Sequence, residues 1–533
     1  MRTRIRKSVR SYVNIVFTLS VVFVTGVFGS QAEAVTYYIS PSGSDSNSAT
    51  SSTSPWKTFG FAVPRLRAGD TLILKNGTYN ASNSGYLNVA CGTNAVNGTA
   101  SQPVTIRAET ERQAWISSNG LNNPVILRNC SYWIMQGLRI STADNINSKS
   151  NGGGNVLLYN MSNFTFRRNL LQYNNRYLNG AILSTETAMT NSLIEENEFY
   201  DYHRNGLSIG IGSNNNVIRR NYMNSRGRVD IAGGYASGPP TGGDSGVACY
   251  PCSSNIFENN IVERVSAGFD MIAAGSTNNN RLYGNIALNT WRGANLGARG
   301  DTDARMPHSN YFKDFVAVGS SEWGFSSVSS KDSRCDNCTL INNGGGLRGA
   351  GTTNVGEKGD LVYSIFSDNT LAYNNNTNGN INRGLDIDTS IGSWTFTIDY
   401  MNSYGHGTNF FPAASNPAIA NEKTIDPKLG TCKVWIPDNS PMKRVGKNSA
   451  DIGANILYRY ENGVLTNQPL WNPSTGEFTG GAIVPGVNDI AGLSRFDVHK
   501  RLNVNTNGCS FPAGYGGTSV APPSGPTNLS VSK

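Results

Sequence analysis

Basic and acidic side chains recur near the start of one strand in a repeated pattern, and their types define the chemistry open to them. His203 and Arg204, Arg226 and Arg228 with Asp230, Asp270, then Arg292 and Arg299 fall there on successive repeats. Guanidinium groups bind carboxylates as forked donors, so Arg204, Arg228 and Arg292 are candidate anion binders, and Arg299 extends the stripe. His203 or Lys331 can accept a proton, while Asp230 and Asp270 can orient the cations or hold Ca²⁺. The competing reading is a solvated face, where single charges contribute little.

A second charged group, Asp301 and Asp303 in R-G-D-T-D-A-R, places two carboxylates on one loop and suits a hard cation such as Ca²⁺. Arg299 and Arg305 flank the pair, so ordinary salt bridging competes with metal binding. No cofactor is required by any motif: the sequence has no nucleophile elbow, phosphate loop or H-E-x-x-H.

The elements that must position these residues are legible from 155 to 343. The motifs N-F-T-F-R-R-N, N-S-L-I-E-E-N, N-V-I-R-R-N, N-I-F-E-N-N and N-R-L-Y-G-N close on Asn169, Asn197, Asn221, Asn260 and Asn285, at intervals of 28, 24, 39 and 25 residues. A fixed period of this kind marks a repeat architecture. Each apolar stretch is short, rich in Ile, Leu, Val and Phe, and bounded by Asn or Gly, which makes it a strand. A second signal follows each closing Asn: G-L-S-I at Gly206, V-D-I at Val229, G-F-D-M at Gly268, G-A-N-L at Gly293 and G-F-S-S at Gly324. Several short strands per turn with no helix between them predict an all-β fold, a parallel β-helix whose inward side chains stack coil on coil. The repeated Asn is expected to tolerate left-handed backbone and to bond neighbouring coils. The insertion 233–252 lengthens one coil beside the charged stripe, and long loops of a regular solenoid favour its binding face.

Arg2, Arg4, Arg6, Lys7 and Arg10 precede an apolar run from Val13 to Val27, and Ala32-Glu33-Ala34 supplies small residues, the pattern of a secretory signal peptide over 1–34. That leader holds five of the 44 basic residues and one of the 36 acidic ones, leaving 39 against 35. A surplus of this size gives no support for nucleic-acid binding. The expected protein is exported, extracellular or at the cell surface, free of the membrane after cleavage, and monomeric.

Eight cysteines in an exported chain favour disulfides over metal or redox chemistry. Cys249/Cys252 and Cys335/Cys338 each stand just before what reads as the same strand of a coil, about three coils or roughly 14 Å apart. That excludes a cross-bridge or a shared zinc, so each pair is expected to close locally. Cys91 with Cys130 and Cys432 with Cys509 remain by elimination, among the 105 pairings open to eight cysteines.

Y-Y-I-S-P-S-G-S-D from Tyr37, P-W-K-T-F from Pro55 and A-G-D-T-L-I-L-K-N-G-T-Y from Ala68, followed by P-V-T-I-R-A and Y-W-I-M-Q-G-L-R-I, resemble the opening segment of secreted β-helix proteins of the pectate-lyase-like superfamily. The resemblance covers roughly 36–345 and implies a right-handed parallel β-helix. It also implies action on polysaccharide along a lateral groove, with Arg or Ca²⁺ neutralising a uronate carboxylate and Lys, Arg or His removing the adjacent proton. S-E-W-G-F-S-S-V-S-S-K-D at 321–332 is faintly similar to the chondroitinase-B and alginate-lyase type, which would make Lys331 the base and Arg348 its helper, although Glu322 and Lys331 stand further apart than in that type.

The implied organisation is an N-terminal cap and first coils over 35–125, regular coils over 126–400, and a C-terminal capping region over 401–510 that includes 451–471. A linker over 511–533 follows, whose P-T-N-L-S-V-S resembles the start of a fibronectin type III module. Two functions fit: a lyase on an anionic polysaccharide, with epimerase and hydrolase as variants, or a non-catalytic glycan-binding surface protein.

Overall fold

The computed structural model describes residues 33–118, 123–142, 154–173, 183–225, 245–273, 277–298, 306–351, 362–374, 381–390, 393–411, 418–430, 433–473 and 511–516. Every element below lies in the unit Ala34–Lys533. Residues 1–32 of the expected leader and the fibronectin-like stretch lie outside the described residues, as do Arg226, Arg228, Asp230, Arg299, Asp301, Asp303, Arg305, Cys432 and Cys509.

The chain winds as a right-handed parallel β-helix with three strands per coil. Among the described residues sheet A has 14 strands, from Thr36–Ile39 to Ile419–Ala420; sheet B has 12, from Gly77–Tyr79 to Asn402–Tyr404; sheet C has 12, from Leu87–Ala90 to Thr408–Phe411. One coil shows the order: Val217–Arg219 in A, Tyr222–Asn224 in B, Ser245–Cys249 in C, then Ile256–Glu258 back in A. All pairings within the three sheets are parallel, for example Val217↔Ile256, Tyr222↔Ile261 and Val247↔Phe269. The coil's third strand is S-G-V-A-C and not V-D-I: Val247 pairs with Leu207 on one side and Phe269 on the other, so that place in sheet C is filled. V-D-I itself lies outside the described residues.

Alternation sends one side chain of each pair inward. Leu207, Val247, Phe269, Ala294, Phe325, Leu347 and Leu385 form one inward column of sheet C, each with no exposed surface. Glycines hold the corner between B and C because the strands approach there too closely for a side chain. A Cβ on Gly293 would lie 2.4 Å from the Gly324 carbonyl oxygen and 2.6 Å from Ala317 Cβ.

The closing asparagines form a buried ladder at the corner between A and B. Asn197 N–H and Nδ2 donate to Asn221 Oδ1, at 3.0 Å each, while Asn221 repeats this with Asn260 and donates through Nδ2 to the Ile194 carbonyl at 2.9 Å. The opening asparagines make a second ladder through Asn216, Asn255, Asn280 and Asn310. The left-handed residue is the one before the closing Asn: Arg168, Glu196, Arg220 and Asn259 have φ of 50–58°. The ladder Asn itself is fully buried, because its amide satisfies main-chain groups of neighbouring coils that water cannot reach.

The N-terminal cap is a short helix, Phe59–Ala62, continued by a 3₁₀ turn, Val63–Arg65. Thr58 caps it by accepting from Phe61 N–H at 3.2 Å, and Phe59, Ala62, Val63 and Leu66 join the main core. Three disulfides are formed among the described residues: Cys91–Cys130, Cys249–Cys252 and Cys335–Cys338. The two local pairs sit at different corners, contrary to their matching sequence contexts. Cys252 precedes the A strand Ile256–Glu258, whereas Cys338 precedes the B strand Thr339–Ile341.

The C-terminal segment covers the solenoid in a different place from the one expected of 451–471. It runs back along the outside of sheet B, where Leu429, Val434, Trp435, Ile436, Ile452, Ile456 and Trp471 bury the apolar outer column of that sheet. Its hairpin, Tyr458–Glu461 and Val464–Pro469, is the antiparallel exception. Tyr460 O–H donates to Asp314 at 2.5 Å, and Glu258 accepts from the N–H groups of Asn462 and Gly463 at 2.9 Å each. Glu461 pairs with both Arg219 and Arg220. The physical reason is area: a whole apolar sheet face needs more cover than the edge of one last coil.

Candidate functional site

The outer face of sheet C carries a mainly polar column, of which Asp270 is the one member shared with the charged stripe read from the sequence. Register aligns Ser208, Ala248, Asp270, Asn295, Ser326, Arg348 and Asp386 on seven consecutive coils. Each occupies the third place of a tetrad that opens G-Φ, directly after the inward apolar residue of its strand. Period-2 alternation therefore turns it outward.

Hydrogen bonds join these residues along the axis. Ser245 Oγ donates to Asp270 Oδ2 at 2.9 Å, and Asn295 Nδ2 donates to Asp270 Oδ1 at 2.8 Å. Arg292 Nη1 donates to Asn295 Oδ1 at 2.9 Å, and its Nε pairs with Glu322. Glu322 also lies 3.9 Å from Arg348 Nη1, so one carboxylate stands between two guanidinium groups. Further along, Arg383 Nη1 donates to Asp386 Oδ2 at 2.8 Å. Asp388, beside them, is held below the ordinary carboxylate range by the side chain and N–H of Ser390, with Arg348 and Arg383 adding to the effect.

Four polar atoms in this region are buried and make no hydrogen bond to any described residue: Trp323 Nε1, Ser326 Oγ, Arg348 Nε and Asp386 Oδ1. They come from three consecutive coils and include donors and an acceptor. Buried polar groups are almost always paired, so a run of adjacent exceptions makes this face the candidate site. Trp323 and Trp291 add aromatic surface under the cations, with Arg348 5.4 Å from the first ring and Arg292 4.3 Å from the second.

Of the residues read from the sequence, Asp270, Arg292 and Arg348 come together on this face. His203 does not reach solvent there; it is 5 % exposed, at the head of the strand Asn205–Ile209, with Arg204 half-buried beside it. Lys331 lies at the corner between C and A, where its main chain stacks on His308 and Asn278. Among the described residues no group of three or more His, Cys, Asp or Glu side chains could hold a metal ion. Sequence reading left out Asn295, Ser326, Arg383, Asp386 and Asp388 and gave Glu322 no role. The phase of G-A-N-L, G-F-S-S, G-L-R-G and G-L-D-I would have found the column residues, since x falls on one face in all four.

No family model matches this chain, and no curated protein matches it. Solved structures do. A pectate lyase, Pel9A, aligns over 79 % of this chain and 96 % of its own at 13 % identity, with a TM-score of 0.37. A mannuronic-acid-specific family 6 polysaccharide lyase from human gut microbiota aligns over 73 % and 91 %, again at 13 % identity, with a TM-score of 0.41. A rhamnogalacturonan lyase aligns over 68 % and 87 % at 13 % identity and a TM-score of 0.37. At these values the likeness assigns neither substrate nor reaction, and the parallel β-helix rests on the chain's own sheets and register.

Proposed function

We propose that the protein acts on an extracellular anionic polysaccharide laid along sheet C, and that the reaction is a β-elimination. The observation that carries this reading is the column Ser326, Arg348, Asp386 with Trp323, in which four buried polar atoms make no hydrogen bond to any described residue. In a lyase, a cation must neutralise the uronate carboxylate so that the adjacent carbon-bound proton becomes acidic enough to remove. Arg348 and Arg292 supply that cation pair, and Glu322 between them keeps both guanidinium groups in place before substrate arrives. Lys331, on the turn that leaves the strand carrying Ser326, is the base in this reading, and Asp270 and Asn295 hold Arg292 in register. Arg204, Arg228 and Arg299 are assigned to further carboxylates of the chain, and Asp230, Asp301 and Asp303 to orienting cations or holding Ca²⁺.

The test is incubation of the full chain with alginate, polygalacturonate and chondroitin sulfate, followed by ultraviolet absorbance of the unsaturated sugar that β-elimination creates. Product formation that disappears in Arg348→Ala and Lys331→Ala is the expected result. Reducing ends released without ultraviolet absorbance would instead assign hydrolysis, for which the Asp386 carboxylate, bonded to Arg383 through Oδ2 and with Oδ1 unbonded to any described residue, is the candidate acid or base. Binding without any product would assign a glycan-binding role.

A further inference from the structure

A second concave surface lies on the outside of sheet A, at the corner where the chain arrives from sheet C. It has a volume of about 880 Å³, and none of its lining residues belongs to sheet C. One side is a column of polar residues in left-handed conformation on consecutive coils: Asn191, Asn215, Ser254, Asn279 and Ser309, with φ of 50–56°. Their main chains bond coil to coil, as in Asn215 N–H to the Ser254 carbonyl at 3.1 Å, which fixes their spacing at the coil rise of roughly 4.8 Å. Amides and hydroxyls therefore repeat along the axis at an interval near the length of one sugar unit.

The other side is an outer column of sheet A, in which Ile256, Arg281 and Tyr311 are aligned by register. Tyr311 meets Tyr283 edge-on, with ring centroids 5.8 Å apart, and Tyr283 in turn stacks on Tyr460 of the C-terminal hairpin at 5.2 Å. The hairpin forms the rim, since a Cβ at Gly463 would stand 3.4 Å from Ile256 Cδ1 and 3.6 Å from Tyr283. Just past it Val464 and Leu465 are 65 % and 50 % exposed, large apolar side chains left in solvent beside the groove.

Axially repeated hydrogen-bonding side chains facing an aromatic and aliphatic strip match a sugar chain, which offers hydroxyls on its edges and C–H groups on its faces. Among the described lining residues Arg281 is the one charged residue and none is a carboxylate; beyond Tyr311 the same column continues to Arg334, whose charge is matched by Asp336 and Asp368. The contrast with sheet C, whose column alternates cations and carboxylates, separates the two ligands by charge. We propose that this groove binds a glycan chain of low charge, laid along the solenoid axis and held independently of sheet C. The site extends the molecule's grip from the chain it acts on to a neighbouring neutral polymer of the same matrix.

Electrophoresis of the full chain through gels containing laminarin, xylan or galactomannan, with alginate and polygalacturonate gels alongside, tests it. At least one neutral polymer should retard the parent, and Arg292→Ala and Arg348→Ala should be retarded equally. Arg281→Glu, at an exposed position, should weaken that retardation roughly ten-fold, and Tyr311→Ala should do the same. Because Tyr311 is packed, its variant is compared at matched thermal stability, and Arg281→Glu decides if it unfolds. The proposal is overturned if no neutral polymer retards the parent, if Arg281→Glu runs as the parent does, or if Arg292→Ala abolishes the retardation. It is equally overturned if only acidic polymers respond to Arg281→Glu. Absence of any unsaturated product in the lyase assay would sink the sheet C reading and leave this result unaffected.

Discussion

Sheets B and C are built from the same coils, share an inward stack, and differ in what they present outward. The outer column of B runs through Leu170, Glu198, Tyr222, Ile261, Ile286, Val316, Thr339 and Leu371, all buried; Glu198 pairs with Arg112, and the apolar members pack with the C-terminal segment. The matching column of C runs through Asp270, Asn295, Ser326, Arg348 and Asp386 and is covered by no described segment. The fold treats both faces alike, so the difference teaches that the outer columns divide the labour. A mainly apolar column packs against the chain's own C-terminal segment and contributes stability, whereas the polar column is the face on which the ligand is proposed to lie.

The largest expected effect belongs to the covered flank. Trp471 has no exposed surface, and its indole N–H donates to the Ile456 carbonyl at 2.6 Å. Trp471→Ala should cost about 3–5 kcal/mol, measured as a shift in the denaturant midpoint. A cost below about 1 kcal/mol would mean that the cover contributes nothing to the fold, and the comparison would break. On the open flank the sign of the contrast reverses. Arg348→Ala should leave stability within about 1 kcal/mol while reducing turnover on a responsive uronate polymer by about 100-fold or more, and unchanged turnover would remove sheet C from the chemistry.

Smaller effects sharpen what the two flanks share. Asn221→Ala removes a carbonyl that accepts two bonds from Asn197 and leaves buried main-chain groups unpaired, for an expected loss of roughly 1–3 kcal/mol. Because the ladder serves every coil, that loss should be the same with or without bound polysaccharide. The smallest effect is a pH dependence near the last coils. Burial lowers the pKa of His406 to about 4 from 6.5. Its imidazole is neutral in both states above the unfolded value, so it affects nothing there. As pH falls from 6.5 towards 4 the unfolded chain takes up the proton and the folded chain does not, so stability should decline across that window. His406→Gln should flatten this part of the curve in urea melts, and an unchanged curve would assign the acid sensitivity to other groups.

By itself the sequence determined the repeat. Asn at both ends of a short apolar stretch is read easily because one strand, one corner and one buried amide are specified within six residues, and the stacking of coils then follows from period-2 burial. It also determined the local disulfides, since C-x-x-C closes over a distance that needs no knowledge of the fold. Even the apolar outer face of B is visible in I-A-L and V-A-V, which are apolar at all three positions and so must be buried on both sides. What the tertiary structure alone decided is which distant segments share a face. Cys335–Cys338 looked like a copy of Cys249–Cys252 but belongs to another corner, because a one-strand slip in assigning N-N at 342–343 moves the pair from one sheet boundary to the next. Lys331 and Arg348 are close in sequence, yet one sits in a corner and the other on a strand. The residues 451–471 were expected at the end of the solenoid and lie along its side, because their partners, from Arg219 to Asn369, are brought together only when the coils have stacked.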